Sequence, residues 1–123
     1  MDMEETELFA FYGSLRRGMD NYKEFKTVLE FITITRISGF ELYSLGSYPY
    51  AVKTHDHSVT IVVEIFKVNG KATRQAIHEL EVGAGYVFDL IEIDSKKVGI
   101  YLFEGPGDDP RVESGDWVSF YGK

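Results

Sequence analysis

The sequence predicts an α+β fold whose mixed or antiparallel sheet can curl into a small barrel. Strand-like segments cluster along the chain instead of alternating strictly with helices, and only two segments space their apolar residues as a helix does. The length of 123 residues fits one domain, residues 1–123, and is long enough to bury a core.

The chain begins with a predicted strand over residues 7–12, which is followed by a loop and a predicted helix over residues 20–31. Apolar side chains recur in the second segment at close to helical spacing. Asp20 or Asn21 is a candidate N-cap for that helix, because their side-chain oxygens can accept from free N–H groups.

Residues 33–37 alternate polar and apolar side chains, which predicts a half-buried strand. We expect this strand to continue past Gly39 as far as residue 43. A turn is predicted at residues 46–49, where glycine and proline occur, and a short strand at residues 50–52.

The β-branched run at residues 59–68 predicts a further strand, which Asn69-Gly70 ends. The period then becomes helical over residues 71–80, and residues 82–85 are expected to form a glycine-rich loop.

The last part of the chain predicts three more strands. Residues 86–93 and 97–103 are expected to pair as a hairpin joined at residues 94–96, and residues 117–121 are expected to form a short closing strand.

Composition excludes several classes of function. The chain has no cysteine, which rules out disulfides, thiolate metal sites and a cysteine nucleophile. Its formal net charge of −7 argues against a nucleic-acid partner, since the one basic cluster is the pair Arg16-Arg17. No apolar run is long enough to span a membrane, and the acidic start lacks the pattern of a signal peptide, so we expect a cytoplasmic protein with no membrane partner.

The loop that follows the first strand is the first candidate site. Its Gly13-Ser14 turn lies between a strand and a helix, a place where backbone N–H groups can hold an anionic group. An ordinary tight turn explains Gly and Ser equally well, and the P-loop spacing is missing. Arg16 and Arg17 can meet an anion, but arginines on a loop are expected to be solvated.

A second candidate site lies at the end of the predicted helix over residues 71–80. Glu79 and Glu81 carry negative charge at the helix C-terminus, where it is unfavourable. Such a position raises the pKa of a carboxyl group and suits a general base. Glu79 is expected to be an exposed surface residue, whereas Glu81 adjoins a glycine-rich loop that can approach a ligand closely.

Two other polar features predict no chemistry. His55-Asp56-His57 resembles a metal-binding fragment but lacks a third ligand, so a solvated turn is the better interpretation. Ser14 lies in no nucleophile elbow and has no histidine assigned beside it.

Four segments in order resemble the γ-glutamylcyclotransferase-like family, including its small bacterial and archaeal members and the γ-glutamylamine cyclotransferases. The first is Tyr-Gly-Ser-Leu-Arg-Arg-Gly at residues 12–18, followed by Asn21. The second is the Gly-Phe-Glu-Leu-Tyr-Ser-Leu-Gly-Ser-Tyr-Pro segment at residues 39–49. The third is Ile-His-Glu-Leu-Glu at residues 77–81, and the fourth is Ser-Gly-Asp-Trp at residues 114–117.

The resemblance implies a compact mixed-sheet barrel of about six or seven strands flanked by two main helices. It implies that the α-amine of a γ-glutamyl group attacks the γ-carbonyl of the same group, which gives 5-oxoproline and a released amine or amino acid. By position, Glu81 is the acid/base residue. The substrate loop consists of Tyr12, Gly13, Ser14 and Leu15. The reaction needs no metal and no cofactor.

The chain departs from the family's pattern around these residues, at Val63, His78, Val82 and Phe88. A non-catalytic module that holds a small acid in the same pocket is therefore the second hypothesis, and a protein–protein adaptor is the third. The residues leave the identity of the γ-glutamyl compound and the oligomeric state open.

Overall fold

Seven strands and three helices make up residues 6–121, the part of the chain that the computed structural model describes. The acidic start, residues 1–5, on which the expectation of no signal peptide rests, lies outside the described residues. In chain order the elements are β1 (Leu8–Phe11), α1 (Asp20–Phe25), β2 (Leu29–Ser38), β3 (Phe40–Ser44), β4 (Pro49–Lys53), β5 (Thr60–Val68), α2 (Lys71–Gly83), β6 (Val87–Ile93), β7 (Lys96–Leu102) and α3 (Trp117–Tyr121).

The strands form two sheets. Five of them pair in the order β2-β5-β1-β7-β6, with β1 antiparallel to β5 and parallel to β7, while β3 and β4 form a separate antiparallel pair. The α+β class with a mixed sheet is thus confirmed. The barrel is not: within residues 6–121, β2 and β6 are free edges of the larger sheet. The two main helices that were expected, α1 and α2, are accompanied by a third, the single turn α3.

The core lies around the central strands of the larger sheet. Consecutive residues of β1 and of β5 are buried, which is the pattern of strands covered on both faces. The largest fully buried side chains include Trp117, Tyr50, Phe9 and Phe66. Because β1 lies inside this core, the loop that follows it starts from a rigid base.

The chain changes sheets at Gly39, so the predicted continuous strand from residue 33 to residue 43 is wrong. Gly39 has a φ of +85°, a conformation that glycine adopts without strain. It separates β2, in the larger sheet, from β3, in the smaller one.

The first helix is shorter than predicted. α1 ends at Phe25, and β2 begins at Leu29, which pairs with Val68 of β5. Pairing with β5 therefore outweighs the helical spacing of the later apolar residues. The N-cap is Met19, with no capping side chain, so neither Asp20 nor Asn21 has the predicted role.

The predicted strand at residues 117–121 is the helix α3. The Oδ1 atom of Asp116 accepts a hydrogen bond from the N–H of Ser119 at 3.4 Å, and Phe120 N–H donates to the Asp116 carbonyl oxygen at 3.0 Å. Asp116 thus caps a single turn that buries Trp117 completely.

The predicted hairpin between residues 86 and 103 is confirmed. Asp94 and Ser95 have φ values of 51° and 67°, as a two-residue type I′ turn requires, and β6 pairs with β7 on either side of them.

Candidate active site

A cavity of about 350 Å³ opens where the end of β1, the turn between β3 and β4, the last turn of α2 and the strand β7 meet. Its lining residues are Ala10, Phe11, Tyr12, Gly13, Ser14, Leu15, Asp20, Asn21, Ser47, Tyr48, Pro49, Leu80, Glu81, Ala84, Tyr86 and Tyr101. The structure therefore brings together all five residues that were predicted to form the site.

Hydrogen bonds fix the loop after β1. The Gly13 carbonyl oxygen accepts from Arg16 N–H at 3.0 Å, and the Ser14 carbonyl oxygen accepts from Tyr22 N–H at 3.0 Å. Asn21 Nδ2 donates to Ser14 Oγ at 2.7 Å, which explains why an Asn follows the loop. Within residues 6–121, the N–H groups of Gly13, Ser14 and Leu15 have no hydrogen-bond partner. All three residues line the cavity.

Close packing against Pro49 requires glycine at position 13. A Cβ added to Gly13 would lie 2.8 Å from Cγ and from Cδ of Pro49, closer than carbon atoms approach without displacement. Both residues line the cavity. The absence of a side chain here lets the β3–β4 turn close one wall of the cavity against the loop.

Glu81 lies in the last turn of α2, so residues 82 and 83, the first two of the predicted loop over residues 82–85, are helical. Its carbonyl oxygen accepts from Ala84 N–H at 3.0 Å and from Tyr86 N–H at 3.1 Å, which closes the helix. The side chain is half-buried in the cavity wall, and burial raises the pKa of Glu81 to about 7. The position of Glu81 at the helix C-terminus predicted a raised pKa through the helix dipole, but the cause of the raised pKa is burial. Glu79 is exposed, as predicted.

Tyr12, Tyr86 and Tyr101 line the cavity together with Glu81. Tyr12 Oη donates to the Tyr101 carbonyl oxygen at 2.5 Å and accepts from Ala51 N–H at 3.1 Å. Tyr86 Oη donates to the Pro49 carbonyl oxygen, and Tyr101 Oη lies 2.8 Å from Nδ1 of His78. The hydroxyl of Tyr12 is therefore engaged within the protein.

Burial is the main cause of a raised pKa at Tyr12, Tyr86 and Tyr101, and the negative charge of Glu81 adds to it. All three phenols thus keep their protons. Sequence reasoning did not assign Tyr86 or Tyr101 to the site. The signal for them was the general one that tyrosines can line a pocket.

The two arginines after the loop are turned away from the cavity lining, and the expectation that they are solvated is wrong for Arg16. That side chain is buried, with Nε 2.7 Å from Glu64 Oε2 and Nη1 2.7 Å from Asp116 Oδ1. Arg17 Nε lies 2.9 Å from the other Glu64 oxygen, and its guanidinium group stacks 3.6 Å from the ring centroid of Phe31. Glu64 thus anchors the end of the loop to β5.

The Ser-Gly-Asp-Trp segment has a structural role. Gly115 has a φ of +70°, and a Cβ on it would lie 2.2 Å from the Thr60 carbonyl oxygen. Its own carbonyl oxygen accepts from Val62 N–H at 2.8 Å. The segment therefore fastens the C-terminal part of the chain to β5, beside the ion pair of Arg16.

The His55-Asp56-His57 segment forms a turn and not a metal site. His55 and His57 flank an exposed turn in which Asp56 accepts hydrogen bonds from Ser58, as expected. Among residues 6–121, no group of three or more candidate ligands is arranged to hold a metal ion. None of the helices in that range is long and apolar enough to cross a membrane.

Comparison with known proteins identifies relatives over nearly the whole chain. The family model described as "Gamma-glutamyl cyclotransferase, AIG2-like" matches residues 9–119. The protein PH0828 of Pyrococcus horikoshii, which carries the γ-glutamylcyclotransferase name, is 34% identical over 117 residues, covering 93% of each chain. The γ-glutamylcyclotransferase family protein YtfP of Escherichia coli K12 is 31% identical over 109 residues, covering 87% of this chain and 92% of YtfP.

Solved structures agree with these sequence matches. The crystal structure of PH0828 superimposes with a TM-score of 0.80 at 28% identity, covering 94% of this chain and 93% of that one. The structure of c4763 from uropathogenic E. coli shares the fold, with a TM-score of 0.78 at 21% identity and coverage of 94% and 95%. On the match over residues 9–119, the chain belongs to the γ-glutamyl cyclotransferase, AIG2-like family.

Proposed function

We propose that the chain is a γ-glutamylcyclotransferase that converts a γ-glutamyl amide into 5-oxoproline and a free amine. The observation that carries the proposal is that Glu81, whose pKa is raised to about 7 by burial, lines the same cavity as the loop from Tyr12 to Leu15. A carboxylate with such a pKa can exchange protons near neutral pH, which suits a general base.

The proposed reaction starts when Glu81 removes a proton from the α-ammonium group of the substrate. The α-nitrogen then forms a bond to the γ-carbon, and the carbonyl electron pair moves to oxygen. Collapse of this tetrahedral intermediate breaks the bond between the γ-carbon and the leaving nitrogen. The two protons that the α-nitrogen loses end on the released amine, with Glu81 as the carrier.

The loop has the complementary role in this proposal. Its three free N–H groups, from Gly13, Ser14 and Leu15, can donate to the oxygen of the tetrahedral intermediate. Fixed donors cost little reorganisation when the charge forms. The cavity also has to hold the substrate folded, with its amine against its own carbonyl, and this positioning accounts for a large part of the rate of an intramolecular reaction.

The charges of the cavity favour one kind of leaving group. The charged residues that line it are Asp20 and Glu81, both acidic, while Arg16 and Arg17 are paired with Glu64 outside the lining. A carboxylate on the leaving group would therefore find no cation among the lining residues. We infer that the released amine is neutral or carries a further positive charge.

A matched set of substrates tests the proposed function. The γ-glutamyl amides of three alkylamines of equal length, ending in an ammonium, a methyl or a carboxylate group, are incubated with the protein, and 5-oxoproline is measured by mass spectrometry. We expect product from all three, with kcat/KM about tenfold higher for the ammonium than for the carboxylate compound. Binding of all three without any 5-oxoproline would instead support the non-catalytic module.

The rate is expected to depend on pH through Glu81. The base form is lost as pH falls through about 7, so kcat/KM should decrease about tenfold for each pH unit below that value. The measurement is a pH profile of kcat/KM between about pH 5 and pH 9, with protein stability checked at each point. A flat profile over this range would contradict the role of Glu81.

A further inference from the structure

The carboxyl group of Glu81 accepts no hydrogen bond from the described residues, although three residues with phenol hydroxyls line the cavity with it. Each hydroxyl is engaged elsewhere: Tyr12 with the Tyr101 carbonyl oxygen, Tyr86 with the Pro49 carbonyl oxygen, and Tyr101 with the ring of His78. A hydrogen bond to a carboxylate stabilises its charged form and weakens it as a base. The basicity of Glu81 therefore depends on where these three protons point.

One of the three acceptors is a side chain. The carbonyl oxygens that accept from Tyr12 and Tyr86 belong to the backbone, so the fold itself fixes them. The Tyr101 hydroxyl lies 2.8 Å from His78 Nδ1. His78 is thus the position at which a substitution can release one hydroxyl without changing the backbone.

Packing holds the His78 ring in place. His78 lies three residues before Glu81 on α2, so the two side chains share a face of the helix. Its ring meets Phe88 of β6 edge-on, with centroids 6.2 Å apart, and lies 5.7 Å from the ring of Tyr101 on β7. This arrangement keeps Nδ1 directed at the Tyr101 hydroxyl.

The direction of that hydrogen bond depends on which ring nitrogen of His78 carries the proton. Burial and the charge of Glu81 raise the pKa of Tyr101, so its phenol stays protonated. A neutral imidazole that carries its proton on Nε2 accepts at Nδ1. In that tautomer Tyr101 donates its single proton to His78 and none remains for Glu81, whereas a proton on Nδ1 would be donated to the Tyr101 oxygen and leave the phenol proton free.

We propose that His78 is a positioning residue that keeps the Tyr101 hydroxyl turned away from Glu81, so that the carboxylate remains a base. This role in catalysis rests on the proposed function. The other titratable groups that line the cavity are Tyr12 after β1, Asp20 at the start of α1, Tyr48 between β3 and β4, and Tyr86 before β6. The hydroxyls of Tyr12 and Tyr86 are held by backbone acceptors.

The test is the titration of Glu81 in the His78→Phe variant. The midpoint is read from the side-chain carboxyl signal of ¹³C-labelled glutamate by NMR, assigned by its loss in Glu81→Gln, and therefore needs no turnover. We expect the released Tyr101 hydroxyl to lower the midpoint by about one pH unit. The acidic limb of the kcat/KM profile should move by the same amount. His78→Leu serves the same purpose if the Phe variant does not fold.

Two further variants separate positioning from a structural effect. In a Tyr101→Phe background, His78→Phe should leave the Glu81 midpoint unchanged, because the hydroxyl to be released is gone. His78→Gln should keep the wild-type midpoint, since a carboxamide oxygen can accept the same proton. An unchanged midpoint in the single His78→Phe variant, or an equal shift in the Tyr101→Phe background, would overturn the proposal.

Failure of the proposed function would look different. In that case the titration midpoint of Glu81 would shift in His78→Phe as described, but no γ-glutamyl amide would yield 5-oxoproline. This result would support the arrangement of His78 and Tyr101 and contradict the proposed reaction. If the protein forms 5-oxoproline but the titration midpoint of Glu81 does not change in His78→Phe, the proposed reaction is supported and the role of His78 is excluded.

Discussion

Replacing Glu81 by Gln is expected to slow 5-oxoproline formation by about 10²- to 10⁴-fold, with substrate affinity little changed. Gln fills the same space in the cavity wall but cannot take a proton from the α-ammonium group. The measurements are kcat under saturating substrate and the Kd from calorimetry. Glu79→Gln is the matched control, because Glu79 is exposed on the same helix and should keep wild-type turnover.

The same substitution should stabilise the protein at alkaline pH. The pKa of Glu81 rises from 4.5 in the unfolded chain to about 7 in the folded one, so the folded state binds more protons between these values. The stability that the protonated carboxyl contributes is present below about pH 4.5 and is lost as pH rises through about 7.

Glu81→Gln removes this loss. We expect its free energy of unfolding in urea to exceed that of the wild type by up to about 3 kcal/mol near pH 8, with little gain near pH 4. If the variant is less stable than the wild type near pH 8, the charged Glu81 side chain stabilises the fold, which contradicts a destabilising effect of its burial.

The second large effect is expected at the ion pair of Arg16 and Glu64. Changing either residue alone to Ala should cost about 3–5 kcal/mol, because the buried charge that remains keeps only its more exposed partner, Asp116 for Arg16 and Arg17 for Glu64. Urea unfolding at neutral pH measures the loss. Arg17→Ala is the comparison: its side chain is 45% exposed, so we expect a loss of about 1 kcal/mol or less.

A double substitution tests the cause of that loss. Arg16→Met combined with Glu64→Leu leaves no buried charge, and a large part of the stability should return. Losses that simply add would mean that the two side chains act independently. Because Arg16 follows Leu15 directly, the single variants are also expected to loosen the loop beside the cavity and to lower kcat/KM.

Features with a local cause could be predicted from the sequence. The hairpin at Asp94-Ser95 follows from turn chemistry, and the helical spacing after Gly70 identified α2. The order of the four motifs pointed to Glu81 and to the loop after β1, and these residues do line one cavity. In each case the residues that decide the outcome are neighbours in the chain or belong to a recognisable pattern.

Features whose cause lies far away in the chain could not be predicted from the sequence. β2 begins at Leu29 because β5 pairs with it, and the helical spacing of residues 20–31 contains no sign of that partner. Arg16 is buried because Glu64, 48 residues further on, receives it. A single turn such as α3 carries too few residues for a period to be visible, and its cap at Asp116 also pairs with Arg16.

The central claim is that the substrate's own amine, and not water, attacks the γ-carbonyl. Turnover of a γ-glutamyl amide in H₂¹⁸O, followed by mass spectrometry, tests it most directly. We predict 5-oxoproline without ¹⁸O in its ring carbonyl, and no glutamate, at a rate that Glu81→Gln lowers by about 10²- to 10⁴-fold. Glutamate with ¹⁸O in its γ-carboxyl group would contradict the account, because water would then be the nucleophile.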